Sequence, residues 1–437
     1  MTPDFLADGY DEGREDENPV TAAGLDRFFR QCSQLERLSL HCLTFVDLPA
    51  SFFQLLHLRA LDLTDDSALE YPDFANFSSL ANLSLVTSAR NGCSLTKLVE
   101  FSGLTSLSFR NETRLSLGEE RYHFQRSPDP DAAPFSFALL SSLKSLRFDT
   151  THSSSPPFGL MFPSGSLCRN LERPLLTQYD GLERLPHEIG ELLPCLPELS
   201  IASCEKFSEL PEQLTSLICL QSLKISSCNV LSLPENFGEL PVLKTLVLHK
   251  LPIVGLPDSF RQLTSLETFF IIECAEMEKL PAGFASLTSL KSLCLETEEL
   301  QLPDDFRGLA SLQTLFRSKK FSQQLLPYSF TRLSSLTRLE LNVCMISEPP
   351  EGMTAMGSLQ QLYIHHCLHI TEIPGSITVL PRPEILRIKG CSSLLSVPRS
   401  LVSLGRLKEL EISKCELLLQ LPESLPTTLQ FLSLGDD

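Results

Sequence analysis

The sequence predicts an α/β solenoid (horseshoe) with a concave parallel β-sheet and short helical or irregular convex segments. Two observations carry that prediction. A comb of prolines runs through the chain at nearly constant spacing. Within each tooth of the comb the apolar residues recur in the same order.

The comb consists of Pro186, Pro211, Pro234, Pro257, Pro281, Pro303, Pro327, Pro350, Pro374, Pro398 and Pro422, most of them behind a leucine, with steps of 22 to 25 residues. Leu220 to Leu240, LQSLKISSCNVLSLPENFGEL, shows the order within one unit. Leu223 and Ile225 stand two apart and so share one face of a short strand. Cys228 and Val230 follow, then Leu233, Pro234, Phe237 and Leu240. Proline cannot donate to a strand ladder, so Pro234 marks chain that has left the sheet for the convex side. The spacing falls within the roughly 20–29-residue period of leucine-rich repeats. One such unit cannot bury its own apolar side; stacked neighbours do it for each other.

Units also open at Leu35, Leu58 and Leu80, with Pro49 and Pro72 in register, and again at Leu104 and Leu143. Residues 1–20 read as a disordered acidic tail, and 21–437 as one repeat domain that is most regular over 182–437. Irregular insertions are expected at about 111–134 and 149–173. A helix over 22–34, with Leu25, Phe28, Phe29 and Cys32 on one face, is expected to cover the first strand. The segment from Leu171 to Leu185 reads as a degenerate repeat that restores the register.

Composition narrows the function. The 437 residues carry a formal net charge of −18, which repels phosphate backbones, so a nucleic-acid partner is not expected. No run of 18 apolar residues exists, so no membrane span is expected. The first residues, MTPDFLADGYDEGREDENPV, lack the basic and apolar regions of a secretory signal. The 14 cysteines are therefore expected to be reduced thiols of a cytoplasmic protein.

Seven of these cysteines form a column three residues after the second strand aliphatic: Cys204, Cys228, Cys274, Cys344, Cys367, Cys391 and Cys415. Many leucine-rich repeats place asparagine there to bond turn backbone. Cysteine, small and weakly donating, suits a buried turn. The competing reading is a metal site or a regulated disulfide. A zinc site needs four ligands converging on a tetrahedron, whereas a stacked column spreads along a line. The cluster His365, His366, Cys367 and His369 reads as a solvated histidine patch, because alternation sends His365 outward and Cys367 into the turn. No metal and no cofactor is expected. There is no GxxxxGK[ST] phosphate loop, so no nucleotide-binding domain is expected in this chain. No GxSxG, HExxH or paired CxxC appears, and no catalytic residue is assigned.

The residue between the two inward aliphatics faces the concave side. That column includes Lys224, Val247, Phe270, Phe316, Glu340, Tyr363 and Arg387, with Cys294 between the two phenylalanines. Two residues further on lie His249, Ile272 and His365. The middle of this face is apolar and aromatic and its ends are charged, as in many protein interfaces. The competing reading is that aromatic and β-branched residues sit there because they suit a sheet.

The units LKELEISKCELLLQLPESL (Leu407 to Leu425) and LQQLYIHHCLHITEIPGSI (Leu359 to Ile377) resemble the repeat region of plant nucleotide-binding leucine-rich-repeat disease-resistance proteins and related intracellular Leu-Pro-type repeat proteins. The resemblance covers about residues 25–437 apart from the insertions. It implies a non-catalytic recognition module that senses a ligand or holds a protein partner in plant defence signalling. The alternative is an intracellular scaffold or adaptor in another signal-transduction pathway, such as small-GTPase regulation or ubiquitin-ligase substrate selection.

Overall fold

A computed structural model describes residues 22–43, 48–65, 77–87, 103–111, 142–150, 170–178, 182–297, 300–303, 306–318, 328–343, 356–373, 377, 380–419 and 424–435. The acidic stretch 1–20, most of the two expected insertions, Pro72 and Cys344 lie outside the described residues.

Among the described residues, 17 parallel strands form one sheet, from β1 (Arg37–Leu43) to β17 (Phe431–Gly435). Each strand pairs with the next, in the order in which the chain makes them. The fold is a leucine-rich-repeat solenoid. Between β7 (Glu198–Ala202) and β8 (Ser222–Ser226) the in-register partners are Leu199 with Leu223 and Ile201 with Ile225. These inward aliphatics are 0–1% exposed, and the same stacking from rung to rung builds a continuous core. In β6 (Arg173–Thr177) the first inward position is Pro174, and its pairing with β7 begins one residue later, at Leu175. A proline has no N–H for the ladder.

The ladder continues one residue beyond the strand. Ser203, Ser227, Lys250, Glu273, Val343 and His366 take φ of 50–53°. Each donates its amide to the carbonyl ending the next strand, as Ser227 does to His249 at 2.8 Å and His366 to Lys389 at 2.7 Å. This left-handed step turns the chain off the sheet.

The chain reaches the convex side at the prolines. Pro211, Pro257 and Pro398 hold φ between −63° and −71° and start 3-10 turns at Glu212–Ser216, Asp258–Gln262 and Arg399–Ser403. A proline fits this first position, where an amide has no helical partner. Phe237, Phe260, Phe284, Phe306 and Phe330 stack behind them, with successive ring centroids 6.4, 6.4, 6.1 and 4.4 Å apart. At the other end α1 (Ala22–Gln31) lays Phe29 against Phe52 at 5.7 Å, and Ser51 donates its hydroxyl to the Asp26 carbonyl at 3.1 Å. The helix is shorter than the expected 22–34. It buries Leu25 and Phe29 but leaves Phe28 48% exposed, because that residue falls at the rim of the covering face.

Candidate functional site

Every strand of the regular array presents three side chains to the concave side and two to the core. On β8, Ser222, Lys224 and Ser226 face out while Leu223 and Ile225 are buried. The concave face is therefore three columns wide, and in-register pairing aligns the columns across rungs.

The central column changes character along the array. Lys224 is exposed. Val247, Phe270 and Phe316 are half-buried, and Cys294 lies between the two phenylalanines, 9% exposed. They belong to β9 (Thr245–His249), β10 (Thr268–Ile272), β11 (Ser292–Glu296) and β12 (Thr314–Ser318), and each stands beside the next in register. Ile272 widens this apolar strip in the third column, between His249 and Glu296. Burial, then the nearby Glu296 and Glu340, pushes the Cys294 thiol up to about 12, so it remains protonated at neutral pH. His249 sits 3.5 Å from Glu273, which also holds Lys250 at 3.3 Å.

Beyond the strip the face is charged and internally paired. Tyr363 of β14 (Gln361–His365) is only 7% exposed. The Arg338 guanidinium sits 4.4 Å above its ring centroid, and that of Arg387 lies 5.6 Å away. Arg338 pairs with Glu340 at 3.0 Å, and Arg387 pairs with Glu409 at 3.1 Å and Glu411 at 3.5 Å. Glu409 holds the Arg387 guanidinium above its already high range, against a smaller opposing effect of burial. His365 lies 3.8 Å from Glu340; burial holds its pKa below the usual imidazole range, and that carboxylate opposes the shift. A partner reaches the face of the Tyr363 ring only by displacing guanidinium groups.

The first column was not anticipated from the sequence. It supplies Arg338, Glu409 and, over the apolar strip, Ser222, Thr245, Thr268, Ser292 and Thr314. The signal was present: the same two-residue alternation, extended one step before the first inward aliphatic. Arg317 is a second omission. It occupies the inward position that an aliphatic fills elsewhere, is 4% exposed, and donates Nη2 to the Leu300 carbonyl at 3.0 Å.

The cysteine column lies behind the turn that follows the strand. Cys204, Cys228, Cys274, Cys367 and Cys391 are 0–6% exposed, and Cys415 is half-buried. Their thiols donate to backbone carbonyls: Cys274 to Leu248 and Ile272, both at 3.6 Å, and Cys367 to Leu341 at 3.7 Å and His365 at 3.4 Å. The neighbouring Cys204 thiol holds Cys228 below its ordinary range, Cys367 does the same for Cys391, and burial pushes Cys274 up. His365 faces the concave side, His366 and His369 are exposed, and Cys367 points into the turn. Among the described residues no three His, Cys, Asp or Glu side chains are grouped to hold a metal, and no helix is long and apolar enough to cross a membrane.

Comparison with known proteins supports the architecture. A leucine-rich-repeat protein of Leptospira interrogans superposes with a TM-score of 0.65 at 20% identity, over 90% of this chain and 93% of that one. The chain has the leucine-rich-repeat fold. Toll, in the Drosophila Toll–Spatzle complex, gives a TM-score of 0.56 at 17% identity over 89% of this chain and 48% of that one. An internalin of Listeria monocytogenes gives 0.50 at 14% identity over 78% and 93%. At these identities the likeness is one of fold. No family model matches the chain, and no curated protein matches it.

Proposed function

We propose that this leucine-rich-repeat chain is a non-catalytic protein-recognition module that binds a protein partner on its concave face. The observation that carries the reading is the apolar strip Val247, Phe270, Cys294, Phe316 and Ile272, all but Cys294 only half-buried, in a sheet whose arginines beyond Phe316 are already paired. An apolar centre with a polar surround is how binding energy is concentrated at protein interfaces. Leucine-rich-repeat neighbours support the general role, and Toll is seen in complex with Spatzle. The unit grammar, which resembles plant disease-resistance repeats, supports partner sensing in cytoplasmic defence signalling. Scaffolding in another signalling pathway uses the same surface and is the alternative.

The test is proximity labelling with the full chain and with a Phe270→Ser, Phe316→Ser variant. Both residues project from the sheet, so the variant is expected to fold, at a cost of roughly 1 kcal/mol or less. A protein labelled only by the unaltered chain identifies the partner and the face. Identical labelling by both chains, with the variant folded, contradicts the reading.

A further inference from the structure

Three features of the concave face say what kind of segment it takes. The first is a rail of hydroxyls along one edge of the apolar strip. Ser222, Thr245, Thr268, Ser292 and Thr314 occupy the first outward position of β8 to β12 and stand in register. All are half-buried, and none of their hydroxyls has a hydrogen-bond partner among the described residues. The second is Lys224, exposed in the central column one rung before Val247, its ammonium with no ion pair or hydrogen bond among the described residues. The third is Glu296, half-buried in the third column three rungs further on, its carboxylate also without a partner among the described residues. On the rungs beyond, Arg338 and Arg387 are neutralised by Glu340, Glu409 and Glu411.

We infer that the occupant is an extended stretch of polypeptide laid across β8 to β11, with an acidic side chain on Lys224, an apolar side chain on Val247 and Phe270, and a basic side chain on Glu296. This rests on the reading of the concave face as the partner site. Adjacent strands lie about 4.8 Å apart, so Lys224 and Glu296 are separated by roughly 14 Å along the array. An extended chain advances about 3.3 Å per residue, which places the acid and the base about four positions apart. Side chains alternate along such a chain, so both ends and the middle residue of that stretch face the sheet. The hydroxyl rail favours an extended backbone over a helix. A helix satisfies its own amides and carbonyls and would cover the hydroxyls without giving them partners, which costs free energy. An extended segment brings unpaired backbone groups that the hydroxyls can bond. The opposite charges at the two ends fix the direction in which it lies.

A random-peptide display library selected against the full chain tests this, with parallel selection on a Lys224→Glu, Glu296→Lys double variant checked for an unchanged thermal melt. Peptides selected on the unaltered chain are expected to carry an acidic and a basic residue four positions apart around an apolar one. They should bind the double variant roughly tenfold more weakly, and exchanging their two charges should restore binding. Apolar peptides without charge bias that bind the double variant equally and are lost with Phe270→Ser overturn this inference and leave the concave face as the partner site. Peptides indifferent to Phe270→Ser overturn both. A selection that yields no peptide dependent on Lys224 also overturns the inference.

Discussion

One residue past most strands of the regular array the backbone passes through a left-handed conformation, and the side chains that occupy it differ in what that costs. Gly390 adopts it at φ 67° without strain, while Val343 holds φ 50° with a β-branched side chain that crowds its own backbone. Val343→Gly should therefore raise stability by about 0.5–1 kcal/mol, read as a higher denaturant midpoint, despite glycine's greater unfolded-state entropy. An unchanged or lower midpoint would show that the turn is not strained there. Inside the same turn, Cys391 donates its thiol to the Ile364 carbonyl at 3.7 Å and is fully buried. Serine keeps a donor of similar size, so Cys391→Ser should cost about 1 kcal/mol or less, whereas Cys391→Asp buries a charge with no partner and should cost about 3 kcal/mol. Equal melts for the two variants would mean that the position is not interior. The recurrence of these cysteines was plain in the sequence. The left-handed residue before each was not, because Ser, Glu, Val, His, Gly and Lys all occupy it and its conformation is imposed by the turn and the inter-rung bond.

At the level of elements, strands and convex turns follow different rules. The strands are set by two aliphatics in alternation, which is why their positions can be read from Leu223 and Ile225 or Leu386 and Ile388. The convex side is set by how closely neighbouring turns approach. Gly238 begins such an approach: a Cβ there would overlap the backbone carbonyl of Ser259, whose hydroxyl accepts the Gly238 amide at 3.0 Å. Gly238→Ala should then destabilise the array by about 2 kcal/mol through overpacking against backbone that cannot yield. A melt within error of the unaltered chain would place the two turns further apart than this packing requires. Helix α1 follows the same distinction. Its apolar spacing announced a covering helix, but which of Phe28 and Phe29 is covered depends on the angle at which it meets Phe52, and the spacing carries no such information.

On the scale of the whole molecule, charge and apolar surface are separated. The chain carries a net charge of −18, yet beyond the strip from Val247 to Phe316 the arginines and glutamates neutralise one another. The apolar middle of the concave face was legible because the columns can be written down from the strand register alone. The covering of Tyr363 was not, since it depends on Arg338 in the first column and on guanidinium groups reaching across rungs. A partner should therefore contact the strip and not the Tyr363 stack. The measurement that tests this most directly is site-specific photocrosslinking in cell extract, with a photoreactive phenylalanine analogue placed at position 270 on the concave sheet, at 231 on the flank, or at 218 on the convex side. Leu231 is 59% and Ile218 63% exposed, so all three probes reach solvent. A discrete crosslinked protein from position 270 alone is the predicted result. Crosslinks from 218 or 231 with none from 270 would contradict recognition through the concave face.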